Sequence, residues 1–345
     1  MTTEENVRGG EVLLKLVPDM DTMTSDRTLA MGLENAQRNN DLITAGKSIR
    51  DLRTLPMSSD DRALVLAAGP SIRRDDPTDI IAANRSGATL VAADSALSLC
   101  LKSGILPDLV VSVDPHAQRI VRWFGDPSLT EESIKEDDYF RRQDLDTSFA
   151  DELENNRKIL DLMDELGSSV KIALASTASS DLVERVHEIG MQVFWFNPML
   201  DDPDRAESET IKLCRRNGLP AMNAGGNVGT ACWMMAHAVL ECSHVGVVGM
   251  DFGYYDDTPL RNTQYFHEAV DLVGEDRIEE VFIHLKNPHT GEWFYTDPAY
   301  YWYRQSFLEL APDANCTTYN CTGGGILFGD NIVWSTLQEF YEQSK

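Results

Sequence analysis

Three aspartates follow short apolar runs, a position from which a carboxylate can reach a metal ion or a ribose hydroxyl. Asp94 follows "ATLVAA", Asp114 follows "LVVSV" and Asp251 follows "VGVVGM". Proteins bind Mg²⁺ through one or two carboxylates together with the phosphates of a substrate. The alternative for each aspartate alone is a helix N-cap, which suits Asp94 before "SALSL".

Two glycine-containing turns could hold an anion. Gly69-Pro70-Ser71 ends the run "ALVLAA" and is followed by Arg73 and Arg74, while Gly225-Gly226-Asn227 leads into an apolar stretch. Glycine lets the backbone approach a ligand, and a helix N-terminus offers free N–H groups and a partial positive charge. Both stretches therefore indicate phosphate contacts; the alternative is that they are ordinary turns before core helices.

Two histidines lie where they could act as a general base near neutral pH. His116 is two residues beyond Asp114, and His267 lies in "NTQYFHEAVD", downstream of Asp251. The chain contains no GxSxG, HExxH or GxxxxGK[ST] pattern, so neither hydrolysis through a covalent nucleophile nor a P-loop is supported.

The elements that must position these residues alternate between apolar runs and amphipathic stretches. We predict strands in "ALVLAAG", "ATLVAAD", "DLVVSVD", "VKIALAS", "MQVFWFN" and "HVGVVGMD", with helices between them. This alternation predicts a doubly wound, Rossmann-like α/β fold with a mostly parallel sheet. Ligands of such sheets bind beyond the carboxyl ends of the strands, where the turns and aspartates described above should therefore meet.

The chain divides into three parts that differ in their pattern of apolar and polar residues. For residues 1–60 the pattern predicts helices that pack on the main domain or on a second subunit. For 61–260 it predicts the nucleotide-binding domain. Within this domain, the charged pattern of residues 129–167 predicts an acidic helical insertion. This insertion is either a lid or a solvated helix pair. Residues 261–345 predict a hairpin in "EEVFIHLKNPHTGEWFYTD", an aromatic helix in "PAYYWYRQSFLELA" and a closing helix in "NIVWSTLQEFYEQ".

Charge and composition limit the partners. Thirty Lys and Arg against 56 Asp and Glu give a net charge of −26, which argues against nucleic acid or an anionic membrane as the main partner. No apolar run is long enough to span a bilayer, and we expect a cytoplasmic protein whose six cysteines are reduced. An oligomer is compatible with the sequence.

Four stretches together resemble a known family. They are "LVLAAGPSI", "VAADSALSLCLKSGILPDLVVSVDP", "GGNVGTACWMMAHAVLECSHVGVVGMDFGY" and "NCTGGGILFG". In this order they are similar to the motility accessory factor flagellin glycosyltransferases, which share a domain with archaeal 6-hydroxymethylpterin diphosphokinases (MptE-like). Where the family has "TEGG" this chain has "TGGG", so the acidic side chain of the family is lost at that position.

The resemblance implies a sialyltransferase-like core and one of two activities. The glycosyltransferase branch would move a nonulosonic, sialic-acid-like sugar from a CMP donor to a hydroxyl of flagellin or another protein. The diphosphokinase branch would move diphosphate from ATP to a pterin alcohol with Mg²⁺. A third alternative is a non-catalytic nucleotide-binding protein.

Position and resemblance together give the expected roles of the candidate residues. Contact with the nucleotide is expected of Gly69, Pro70, Ser71, Asp94, Ser95, Gly225, Gly226 and Asn227. Catalysis is expected of Asp114, Asp251 and His267, with Asp114 as the ligand of any Mg²⁺.

Overall fold

A computed structural model of the chain describes residues 6–59, 61–116, 120–136 and 152–343. Its strands, in chain order, are β1 (Val7–Gly9), β2 (Lys47–Ser48), β3 (Arg62–Leu66), β4 (Thr89–Ala93), β5 (Leu109–Ser112), β6 (Lys171–Ala175), β7 (Gln192–Pro198), β8 (Ala221–Met222), β9 (His244–Val248), β10 (Tyr254–Tyr255), β11 (Ile283–Lys286), β12 (Trp293–Thr296), β13 (Thr317–Asn320) and β14 (Ile332–Trp334). All six strands predicted from the sequence are present, as β3, β4, β5, β6, β7 and β9.

The main sheet has the order β14-β13-β9-β3-β4-β5-β6-β7-β2, with β8 paired to β7. Every pairing in it is parallel. From β3 the chain builds outward through β4 to β7, and it later returns to add β9 on the other side of β3. The boundary between β3 and β9 is therefore the topological switch point, where doubly wound sheets bind their ligands.

The helices, again in chain order, are α1 (Leu13–Leu16), α2 (Met20–Arg38), α3 (Asn40–Ala45), α4 (Ser71–Arg74), α5 (Thr78–Ala83), α6 (Asp94–Lys102), α7 (Glu131–Glu136), α8 (Glu152–Leu166), α9 (Ser180–Glu188), α10 (Glu209–Asn217), α11 (Val228–Met234), α12 (Phe266–Val273), α13 (Pro298–Leu310) and α14 (Leu337–Glu342). A π-helical segment, Met235–Val239, continues α11. In the described part of the chain, no helix is both long and apolar enough to cross a bilayer.

Both faces of the main sheet are buried. Val110 and Ile172 belong to one apolar cluster, whereas their neighbours Val111 and Ala173 belong to another. Successive side chains of a strand point to opposite faces, so the two clusters lie on opposite sides of the sheet. This confirms the doubly wound α/β fold predicted from the apolar runs.

A second, antiparallel sheet has the order β1-β11-β12-β10. Its centre is the predicted hairpin, in which Ile283 pairs with Thr296 and Lys286 with Trp293. The turn closes where the N–H of Asn287 donates to the carbonyl of Glu292 at 2.8 Å. The aromatic helix α13 follows directly, as predicted.

Several expectations for the flanking segments were incomplete or wrong. Residues 1–60 are not only helical, because β1 joins the second sheet and β2 joins the main one. "NIVWSTLQEFYEQ" is not one helix: it forms β14 and then α14, which begins after the capping residue Thr336. The expected acidic insertion contains α7 and α8, and its middle, 137–151, lies outside the described residues. The three-part division stays a prediction.

Candidate functional site

The loop after β3 is fastened to the end of β9 across the switch point. The Ser71 hydroxyl donates to Oδ2 of Asp251 at 2.8 Å, and the Ser71 N–H donates to Oδ1 at 3.2 Å. Asp251 is buried, and this burial raises its pKa from 3.8 to about 7. The carboxylate predicted to act in catalysis is therefore engaged in holding the Gly69-Pro70-Ser71 loop.

Gly69 explains why the two strand ends can lie so close. A Cβ at this position would be 2.2 Å from Oδ2 of Asp251 and 2.4 Å from the Gly249 carbonyl oxygen. The Gly69 N–H also donates to that carbonyl at 2.9 Å. A larger residue cannot fit without moving Asp251, so the loop position depends on glycine.

Asp94 begins α6 at the end of β4 and is buried. Its Oδ2 accepts from the Ser112 hydroxyl at 2.7 Å, and its Oδ1 accepts from the N–H of Ser95 at 2.7 Å. Burial raises the pKa of Asp94 to about 7, with a smaller contribution from the negative charge of Asp114. The helix N-cap is the preceding residue, Ala93, so the alternative reading of Asp94 as the cap was wrong.

Asp114 and His116 form a pair beyond the end of β5. Nδ1 of His116 lies 2.7 Å from Oδ1 of Asp114, which also accepts from the His116 N–H at 2.9 Å. A carboxylate bound to one ring nitrogen orients the imidazole and leaves Nε2 to exchange a proton. The histidine side chain is partly exposed, at 42%, so a ligand can reach it.

The fit of these residues to Mg²⁺ depends on substrate phosphates. In the part of the chain that the structure describes, no group of three or more His, Cys, Asp or Glu residues is arranged to hold a metal ion. Mg²⁺ usually takes one or two carboxylates and completes its shell with phosphate and water oxygens. Asp114, with Asp94 near enough for their charges to interact, fits that limited role. A bound Mg²⁺ would neutralise phosphate charge there.

The second glycine turn is held open by its own side chains. The Gly225 N–H donates to Oδ1 of Asn223 at 2.9 Å, and Asn227 caps α11 by accepting from the Thr230 N–H at 2.9 Å. Gly225 and Gly226 have φ angles of +55° and +78°, in the left-handed region that favours glycine. The predicted turn into an apolar helix is therefore confirmed.

One large cleft collects most of the predicted residues. It is lined by Gly69, Pro70, Asp94, Ser95, Asp114, Gly225, Gly226, Asn227 and Asp251, together with His116. Ser71 is buried behind the loop rather than in the lining. His267 is exposed on α12, and its neighbours Glu268 and Ala269 line the cleft instead. The structure thus brings His116, and not His267, to the strand ends.

The first wall that sequence reasoning missed is α2. The side-chain amide of Asn35 donates to the carbonyl oxygens of Pro115 at 3.1 Å and Thr177 at 3.0 Å. Arg38, one turn later, donates to Oδ1 of Asn35 at 3.0 Å and lines the cleft. An asparagine in a polar helix gives no signal that it contacts strand ends far along the chain, so only the folded arrangement reveals this wall.

A second wall is aromatic and comes from the C-terminal third of the chain. Tyr265, Trp302 and Tyr303 line the same cleft as the strand-end residues. Arg74, which forms an ion pair with Asp257, also places its guanidinium 3.9 Å from the ring centre of Tyr255. The run "AYYWYRQ" was recognised as a helix, but its sequence alone did not show which rings face a ligand.

The fold and the cleft at its switch point define a Rossmann-like α/β protein. Residues 33–124 match the family model described as "6-hydroxymethylpterin diphosphokinase MptE-like". This segment contains β3, β4 and β5 with Asp94 and Asp114. Over these residues the match confirms the resemblance to the MptE-like family that the motifs indicated.

A solved structure of similar fold is the "MAf glycosyltransferase from Magnetospirillum magneticum AMB-1". It is 15% identical to this chain, with a TM-score of 0.50, and the alignment covers 91% of this chain and 40% of that one. The chain therefore spans less than half the length of that protein, and the likeness is one of fold. A comparison with curated proteins finds no match.

Proposed function

We propose that this chain is a transferase that binds a nucleotide-activated sugar in the cleft and passes the sugar to a hydroxyl group. The observation that carries the proposal is the joining of the Gly69–Ser71 loop to Asp251 at the switch point, in a cleft that the Gly225–Asn227 turn also lines. Backbone N–H groups and the partial positive charge of the α11 terminus are suited to a phosphate. The fold resemblance supports a glycosyltransferase over other uses of this cleft.

The donor that fits the resemblance is a CMP-linked nonulosonic sugar, and the acceptor is a protein hydroxyl, as in flagellin. His116 would take the proton of the acceptor hydroxyl while Asp114 stabilises the imidazolium that forms. The acceptor oxygen forms a bond to the anomeric carbon as the bond from that carbon to the phosphate oxygen breaks, and CMP leaves. The Gly225–Asn227 turn would stabilise the charge on the departing phosphate.

A ligand screen by thermal unfolding tests the donor. A ligand that binds only the folded state stabilises it by RT ln(1 + [L]/Kd), so CMP, CDP and CMP-sialic acid should raise the melting temperature. Asp114→Asn and Asn227→Ala should reduce that rise, whereas His267→Gln should not, because His267 lies outside the cleft lining. If ATP with Mg²⁺ stabilises the protein and none of the cytidine compounds does, the proposal is wrong.

The family match favours a second candidate. The family model that matches residues 33–124 carries a diphosphokinase description, and this segment holds Asp114, the carboxylate that fits a Mg²⁺-bound triphosphate. Such an enzyme would release AMP from ATP in the presence of a pterin alcohol and Mg²⁺. Measuring AMP formation with and without 6-hydroxymethyl-dihydropterin separates this activity from sugar transfer. Binding without turnover of either substrate would instead indicate a non-catalytic protein.

A further inference from the structure

Three aromatic rings form a continuous wall of the cleft, which we call the aromatic shelf: Tyr265, Trp302 and Tyr303. All three line the cleft and are partly exposed. The ring centres of Trp302 and Tyr303 are 5.3 Å apart, and the hydroxyls of Tyr265 and Tyr303 are 3.3 Å apart. The shelf therefore combines apolar ring faces with hydroxyl groups at its edge.

Two further tyrosines of the cleft lining, Tyr254 and Tyr300, adjoin the shelf. Tyr254 and Tyr300 stack with ring centres 5.3 Å apart, and the Tyr254 hydroxyl donates to Oδ2 of Asp297 at 3.1 Å. Asp297 also caps α13 by accepting from the Tyr300 N–H at 2.9 Å. One buried carboxylate thus fixes both the start of the helix that carries Trp302 and the pair of tyrosines that adjoins the shelf. Such a rigid surface loses little conformational entropy when a ligand binds.

The shelf directly adjoins the turn that is proposed to hold phosphate. A Cβ on Gly226 would be 2.6 Å from Cζ3 of Trp302 and 2.9 Å from Cδ1 of Tyr303. Glycine at 226 is therefore what lets the turn lie against the rings. A chemical group bonded directly to a phosphate on this turn would therefore contact the rings of the shelf.

We propose that the aromatic shelf binds the pyranose ring of the donor, the part that is transferred. This inference rests on the proposed function. In a sugar nucleotide the sugar is joined to the phosphate through one oxygen, whereas the base is separated from it by the ribose. The C–H groups on one face of a pyranose are attracted to the negative face of an aromatic ring. The Tyr303 hydroxyl at the edge of the shelf can form a hydrogen bond with a hydroxyl of the sugar.

Calorimetric titration of the full chain with CMP and with CMP-N-acetylneuraminic acid tests the assignment. Wild-type protein should bind the sugar nucleotide more tightly than CMP, because only the sugar nucleotide reaches the shelf. Trp302→Ala should weaken binding of the sugar nucleotide about tenfold while leaving CMP unchanged, and Trp302→Phe should restore part of the loss. The matched control is Tyr301→Ala on the same helix, since Tyr301 does not line the cleft.

The outcomes distinguish a wrong shelf assignment from a wrong proposed function. If CMP and its sugar conjugate bind the wild type equally, the shelf assignment is wrong and nucleotide binding stands. If Trp302→Ala weakens CMP itself as much as the conjugate, the shelf holds the base, which also overturns the assignment. If neither compound binds the wild type, the proposed function fails and the shelf assignment fails with it. Should Trp302→Ala not fold, Trp302→Phe and Tyr303→Phe are titrated with the same two ligands instead. Weaker binding of the sugar nucleotide with unchanged binding of CMP supports the assignment, and unchanged binding of both ligands overturns it.

Discussion

The Ser71 hydroxyl donates to Oδ2 of Asp251 at 2.8 Å, joining two residues that are 180 positions apart in the chain. This contact bridges the two halves of the doubly wound sheet at the point where the strand order reverses. The loop after β3 consequently has a fixed position relative to the end of β9, and the floor of the cleft is preorganised before any ligand binds.

Ser71→Ala should destabilise the fold and loosen the loop. Removing the hydroxyl leaves one oxygen of the buried Asp251 carboxyl with a poorer partner, because the Ser71 N–H lies 3.4 Å from Oδ2. The loss of a hydrogen bond to a buried carboxyl group costs about 1–3 kcal/mol, and urea unfolding measures the change in the free energy of unfolding.

The control for this experiment is Ser180→Ala. Its hydroxyl donates to Asp181 at 3.2 Å in an exposed position, where a lost contact costs within about 0.5 kcal/mol. Equal losses for Ser71→Ala and Ser180→Ala would show that the bridge to Asp251 contributes nothing to stability.

Asp94 should make stability depend on pH in an unusual direction. Its pKa rises from 3.8 to about 7 in the folded protein because the carboxyl is buried. Between those values the folded state holds a proton that the unfolded state has released. The contribution of Asp94 to the free energy of unfolding is therefore fully present below about pH 4. It is lost as pH rises towards about 7 and changes no further above that pH.

The measurement is urea unfolding of wild type and Asp94→Asn at several pH values. The difference in the free energy of unfolding between wild type and Asp94→Asn should change by up to about 1.4 kcal/mol for each pH unit between pH 4 and 7, with wild type losing stability as pH rises. Taking the difference cancels the contributions of the other carboxyls to the pH dependence, such as that of Asp201, whose pKa is lowered to about 2. A difference that does not vary with pH would contradict the raised pKa of Asp94.

The sequence predicted the elements that have strong local signals and missed those that depend on distant partners. The buried strands β3, β4 and β5 are runs of apolar residues, so they were recognised without any tertiary information. β2 has two residues and exists only because Lys47 and Ser48 pair with Phe194 and Trp195 of β7. Its own composition gives no strand signal.

The candidate site shows the same division. Strand-end aspartates and glycine turns could be placed at one sheet edge because parallel topology forces them there. The direction of a single side chain on a helix could not be predicted. His267 follows the correct strand, yet consecutive residues of a helix point about 100° apart, and the helix turns Glu268 towards the cleft and His267 away from it.

The pairing of Asp114 with His116 predicts a clear kinetic contrast. Asp114→Asn should lower kcat for sugar transfer about a hundredfold, because a general base and its orienting carboxylate contribute that much or more. His116→Gln should have a similar effect, and the double variant should be no worse than either single one. Initial rates with saturating donor check this, with His267→Gln as the variant that keeps full activity. A large loss in His267→Gln with none in His116→Gln would reverse the assignment.

The attachment of α2 should control whether the cleft keeps its outer wall. The Asn39 amide donates to the carbonyl oxygens of Ser176 at 3.0 Å and Ala178 at 2.7 Å, and all three groups are buried. Asn39→Leu removes both hydrogen bonds and leaves two buried carbonyl oxygens without this donor. Each such oxygen costs about 1–3 kcal/mol. We therefore expect α2 to detach more often and to be cleaved faster by trypsin at Arg38 while the main sheet stays intact.

Gln37→Ala is the matched control, because Gln37 is exposed on α2, two residues before the C-cap Asn39, and its loss breaks no contact with the strand ends. Limited proteolysis followed by mass spectrometry identifies the cut site, and the rate of that cut measures how often the helix opens. A bound donor should slow the cut in wild type, since the cleft that it fills is lined by Asn35 and Arg38. Equal cleavage rates in Asn39→Leu and Gln37→Ala would show that these hydrogen bonds do not hold the wall. Protection by CMP in wild type that persists in Asn39→Leu would show that the nucleotide binds independently of α2.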